Sequence, residues 1–95
     1  MTGAMSARLA FLFLLAAAPV QAACFADYKA KQDEPLRLHY GVVALDDAQC
    51  SAEGAAAALQ ARLTDGWQLL QVVGLFDESG LAEREASAGP YFLRY

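Results

Sequence analysis

The sequence predicts a small α+β domain of β-α-β-β order, with a three-stranded, mostly antiparallel sheet and one helix on one of its faces. Two runs of strand length, 36–45 and 67–76, are rich in β-branched and aromatic residues. Between them, 52–64 shows helical periodicity, and a shorter strand-like run, 91–95, ends the chain. Two strands joined through a helix favour parallel neighbours, so we expect the last strand to run antiparallel between them.

The first 22 residues have the pattern of a secretory signal peptide. Arg8 precedes an apolar run from Leu9 to Val20, and Val20-Gln21-Ala22 is a small-residue cleavage site. A membrane-spanning helix needs about 20 apolar residues, so this run is too short to cross a bilayer. We therefore expect an exported protein, periplasmic or extracellular, whose mature part is a single domain of residues 23–95.

The mature part is acidic. Because Arg8 falls in the leader, six of the seven Lys and Arg and all 11 Asp and Glu remain, which gives a net charge of −5. Nucleic acids and anionic membrane surfaces attract basic patches. We therefore expect neither as a partner.

The mature chain opens with a mixed segment and then the first predicted strand. Residues 23–35 are predicted to be an N-terminal extension with a short helical turn from Phe25 to Lys31, which Pro35 interrupts. Residues 36–45 alternate with period two, and the cleaner apolar face is assigned to the core. That face consists of Leu36, Leu38, Tyr40, Val42 and Ala44.

The helix has clear start and stop signals. Ser51 is a good N-cap, and Gly66 favours the left-handed conformation that ends a helix. Trp67 then begins the central strand, which reaches Phe76 and is followed by a turn at 77–80. Residues 81–89 are predicted to be an exposed arm or loop, and residues 91–95 a final strand.

These elements resemble a family of short uncharacterised domains. The resemblance rests on Leu38 to Val43, on Asp65-Gly66-Trp67-Gln68-Leu69 at the helix end, and on Tyr91-Phe92-Leu93-Arg94. That family has a tyrosine-bearing first strand, a helix ending in Gly-Trp-Glu-Leu and a last strand of the type Tyr-Val-Leu-Lys-Arg. The resemblance implies a β-α-β-β fold and no known activity, and Gln68 departs from its usual glutamate.

Residues that carry chemistry are few and scattered. His39 is the only histidine, so it has no second imidazole with which to hold a metal. The other acids considered lie in predicted turns, where carboxylates are usually solvated: Asp46, Asp47, Asp77 and Glu78. No phosphate loop, zinc spacing or calcium loop is present in the sequence. We therefore expect no enzyme, no cofactor and no metal.

The two cysteines allow two interpretations. In an exported protein, Cys24 and Cys50 are expected to form a disulfide. Alternatively, Gln21-Ala22-Ala23-Cys24 resembles a lipoprotein signal, in which Cys24 carries the lipid and anchors an accessory protein of an envelope assembly. Gln21 fits that signal poorly because an aliphatic residue is expected there, so we favour the disulfide.

One helix covers only one face of a sheet, so the pattern predicts an open apolar face. If Trp67, Leu69, Val73 and Leu75 face the helix, their neighbours face away from it. The candidate partner surface is then made of His39, Val43, Leu70, Val72 and Phe76. Phe25 and Tyr28 of the N-terminal extension are expected to cover part of it, and the rest suits an unknown protein partner or a homodimer. The function expected is a small exported binding or structural module.

Overall fold

The computed structural model describes residues 23–95, and the predicted leader and its cleavage site lie outside that part of the chain. The elements are β1 (Cys24–Gln32), β2 (Arg37–Leu45), α1 (Ala52–Arg62), β3 (Gln68–Phe76) and α2 (Leu81–Ala88), with short 3-10 turns at Asp47–Gln49, Glu78–Gly80 and Gly89–Tyr91. A three-stranded antiparallel sheet with helices confirms the α+β class. The order, however, is β-β-α-β-α.

The central strand of the sheet is β1, which the sequence analysis placed in an extension with a helical turn. The strand order is β2-β1-β3, and β1 runs antiparallel to both neighbours. Cys24, Ala26, Tyr28 and Ala30 alternate along β1 and are all buried in the main core. β2 and β3 therefore run in the same direction, as expected, but the antiparallel strand between them is β1 and not the predicted last strand.

The main core takes the face of β2 opposite to the one predicted, although Val42 of the predicted face is also buried. Leu36, just before the strand, and Leu38 within it are 65% and 66% exposed, whereas Val43 and Leu45 are buried. The reason lies in β1, whose Tyr28 ring fills the space above Gly41 on the paired strand. A methyl group on Gly41 would lie 2.5 Å from the Tyr28 hydroxyl oxygen, so glycine at this position is what admits the ring.

Helix α1 covers one face of the sheet and ends close to where the sequence predicts. The Ser51 hydroxyl accepts a hydrogen bond from the Gly54 N–H at 2.9 Å, as expected of an N-cap. Ala55, Ala58 and Leu59 are buried against the sheet. The disulfide between Cys24 and Cys50 is formed, with the two Cα atoms 6.0 Å apart, and it ties the start of β1 to the entrance of α1.

The opposite face is partly covered by α2, in the segment predicted to be an exposed arm. Ala88 of α2 and Val42 of β2 are buried on this side. The predicted last strand is also wrong: residues 89–91 form a 3-10 turn, and Phe92 makes only an isolated parallel bridge to Val42. The chain thus passes over the outer edge of β2 and returns to the α1 side, where Tyr95 packs against the main core. No helix within residues 23–95 is long and apolar enough to cross a membrane.

Candidate functional site

His39 lies on the α1 side of the sheet, inside a group of aromatic rings. The imidazole stacks on Tyr91, with ring centroids 3.6 Å apart and planes 2° from parallel. Trp67 approaches it edge-on with centroids 4.3 Å apart. The His39 Nε2 and the Tyr28 hydroxyl are hydrogen-bonded at 2.9 Å. The side chain is only 9% exposed, so the sequence-based placement of His39 away from the core is wrong.

This environment keeps the imidazole neutral. Burial, and to a smaller extent the Arg94 guanidinium, lowers the pKa of His39 to about 4. Burial also raises the pKa of the Tyr28 hydroxyl, as do the nearby Tyr95 and Tyr91. The Tyr28 hydroxyl and the His39 imidazole are therefore both neutral, and their hydrogen bond is a polar contact within the aromatic group.

A second polar group lies on the α2 side, around Asp27 of β1. Asp27 is 4% exposed, and its Oδ2 accepts hydrogen bonds from the Tyr40 hydroxyl at 2.8 Å and from Arg84 Nε at 3.1 Å. Arg84 also donates to the Gly80 carbonyl oxygen at 2.8 Å, and its guanidinium lies 3.9 Å from the centre of the Phe76 ring. The group thus attaches α2 to the sheet.

The charges of this group perturb its members in a consistent way. Burial, and to a smaller extent the hydrogen bond to Asp27, raises the pKa of Tyr40 to about 12. The hydrogen bond to Asp27 likewise raises the pKa of Arg84. The sequence analysis missed this group because Asp27 and Arg84 are 57 positions apart. The one available signal was the alternation of Asp27, Lys29 and Lys31 with the apolar residues of β1.

The five residues of the candidate partner surface do not share one face. His39 and Val43 are buried on the α1 side, and Val72 is half-buried against the same core. Phe76 is half-buried on the α2 side, beneath Arg84 and beside Phe25. Of the five, Leu70 is the one that the structure leaves exposed, at 51%.

The apolar surface that the structure does leave open lies beyond the end of α2. There a depression of about 280 Å³ is lined by residues of all three strands, among them Lys29, Leu38, Tyr40 and Leu70. Leu38 and Leu70 are 66% and 51% exposed. We call these four residues the open face. The sequence analysis assigned Leu38 and Tyr40 to the core, so of this set it predicted only Leu70.

Within residues 23–95, no group of three or more His, Cys, Asp or Glu side chains is placed to hold a metal ion. No family model, no curated protein and no solved structure is similar enough to this chain to count as a match. The arrangement of the described residues therefore carries the functional argument.

Proposed function

We propose that the mature chain is a small exported binding module without catalytic activity, which contacts a protein partner through the open face. The observation that carries this proposal is that Leu38 of β2 and Leu70 of β3, both exposed, line the same depression. Large apolar side chains gathered in one depression favour contact with another protein, whereas single exposed ones are ordinary. The half-buried Tyr40 ring borders the depression, and the exposed Lys29 amine supplies a polar contact at its rim.

Export is supported by the leader pattern and by the disulfide. Disulfides persist in oxidising compartments outside the cytosol. The same bond disfavours the alternative of a lipoprotein, because the Cys24 sulfur that would carry the lipid is bonded to Cys50. We therefore propose cleavage after Ala22 and a free amino terminus at Ala23.

The absence of catalysis is supported by what the two most chemically capable groups do. The His39 imidazole is enclosed by rings and hydrogen-bonded to Tyr28. The Asp27 carboxylate is engaged by Tyr40 and Arg84. A general base needs access to the proton that it removes, and both side chains are buried. His39 Nδ1 and Asp27 Oδ1 have no hydrogen-bond partner within residues 23–95.

Mass spectrometry tests export and processing. The chain is produced with its leader, and the protein is recovered from outside the cytoplasm without reduction. We expect the mass of a chain that begins at Ala23, lower by two hydrogens than the mass of its reduced form. Protein retained in the cytoplasm with its leader, or a Cys24 that carries acyl chains, would contradict the proposal.

Site-specific crosslinking tests the binding surface. A photoreactive phenylalanine analogue at position 38 is compared with the same analogue at Gln60, an exposed position of α1. We expect a discrete adduct from position 38 in the producing cells, its disappearance when Leu70→Glu is added, and no adduct from position 60. The same adducts from both positions, or none from position 38, would refute binding through the open face.

A further inference from the structure

The outer edge of β3 is free in the described part of the chain. Because the strand order is β2-β1-β3, β3 pairs with β1 on one side only, and residues 23–95 supply no strand for its other side. A free edge presents unpaired N–H and C=O groups to any other strand, and proteins usually protect it with charged residues or proline. The nine residues of β3, QLLQVVGLF, include neither.

Two extra residues interrupt the pairing of β3 with β1. Leu69 pairs with Ala30 and Gln71 with Lys29, which leaves Leu70 over. In the same way Val72 pairs with Tyr28 and Gly74 with Asp27, which leaves Val73 over. Such bulges normally hinder pairing of an edge with a regular strand, because two residues then oppose one. A partner for this edge therefore needs extra residues at matching positions.

A second copy of β3 has them. Leu69, Val72 and Leu75 pair with residues of β1 that point to the α1 side, so this side of β3 is occupied at every third position. That pattern is symmetrical about Val72. In an antiparallel pair of β3 strands related by a two-fold axis at Val72, Leu69 of one copy lies opposite Leu75 of the other. The bulge at 70–71 then lies opposite the bulge at 73–74, and equal numbers of residues face each other.

The side chains suit this arrangement. Leu70, Val73 and Leu75 are apolar but 51%, 46% and 41% exposed. They therefore have apolar surface left for contact with a second copy. Since β3 has no charged residue, the axis brings no like charges together along the strands, although the chain as a whole is acidic.

We propose that two copies of the mature chain pair through their β3 edges, antiparallel about Val72, and form a continuous six-stranded sheet. This surface is the edge of the sheet and shares only Leu70 with the open face, so Val73 on the edge and Leu38 on the open face test the two proposals separately. A two-fold contact of this kind is self-complementary and closes at two copies.

Sedimentation equilibrium of residues 23–95, with the disulfide intact, tests the proposal. From micromolar to millimolar concentration we expect the mass to rise from that of one chain to that of two. Val73→Lys places a charge on the free edge and is expected to leave a single chain throughout, with an unchanged melting temperature. Leu38→Lys, at a more exposed apolar position on the open face, is the matched control and is expected to dimerise like the natural protein.

Three results would overturn the proposal: a single chain at every concentration, a Val73→Lys variant that dimerises normally, or a Leu38→Lys variant that does not. If Val73→Lys fails to fold, hydrogen exchange of the natural protein decides. The outward amides of β3 are expected to become at least tenfold more protected at the concentration where the mass doubles. Protection of β3 that is equal in dilute and concentrated samples would count against pairing at this edge.

Discussion

The disulfide joins two elements that the rest of the fold depends on, so its removal is a sensitive test of the structure. Cys24 is the first residue of the central strand β1, and Cys50 immediately precedes the N-cap of α1. The bond spans 26 positions and encloses the whole β1–β2 hairpin. Without it, the unfolded chain gains the freedom of that loop while the contacts of the folded state stay almost the same.

The chain-entropy relation gives the stabilisation expected from closing this loop. A closed loop of this length corresponds to about 3.5 kcal/mol at 25 °C. The free energy of unfolding of a domain of this size is roughly 4–11 kcal/mol, so the bond supplies a large part of it. At about 4–8 °C per kcal/mol for a small domain, the melting temperature is expected to fall by roughly 14–28 °C.

Cys50→Ser isolates the effect of the cross-link because Cys50 is exposed, whereas Cys24 is only 7% exposed and belongs to the core. We expect Cys50→Ser to melt lower by the stated amount and Cys24→Ser by somewhat more, since it also buries a hydroxyl. The double variant should be insensitive to reductant and close to Cys24→Ser in stability. Thermal unfolding followed by circular dichroism, with and without reductant, measures this. A fall of less than about 1 kcal/mol in Cys50→Ser would refute the loop argument.

Two further predictions concern the buried polar groups. The unfolded chain binds a proton at His39 near pH 6.5 and the folded chain only near pH 4, so the stability due to the depressed pKa is full above pH 6.5 and lost as the pH falls through 4. Between pH 7 and pH 4, the free energy of unfolding measured with urea should therefore fall by about 3 kcal/mol more in the natural protein than in His39→Gln. Equal falls in the two proteins would disprove the assignment. Asp27→Asn weakens the hydrogen bonds from Tyr40 and Arg84 and is expected to lower the free energy of unfolding by about 1.5–3 kcal/mol. The same substitution at Asp33, whose carboxylate is 52% exposed, should change it by less than about 0.5 kcal/mol; similar losses at the two positions would argue against the buried group.

Several features follow from local signals and were therefore predictable from the sequence. Helix α1 starts after Ser51, whose side chain caps it, and ends at Arg62, and Gly66 takes the expected left-handed conformation in the turn that follows. The runs that became β2 and β3 are extended because of their β-branched and aromatic content. The pairing of Cys24 with Cys50 was predictable because the sequence holds two cysteines. Each of these depends on residues near one another in the chain or on composition.

What only the tertiary structure decided depends on residues far apart in the chain. Both faces of β2 carry apolar side chains. The Tyr28 ring above Gly41, and no pattern within β2, determines which face belongs to the main core. The segment 24–32 contains enough charge to resemble a surface extension, yet it is the central strand because both neighbours pair with it. Helix α2 is short and charged, so its own sequence supports it weakly. It is held because Arg84 reaches Asp27 across the sheet, a contact that local periodicity cannot reveal.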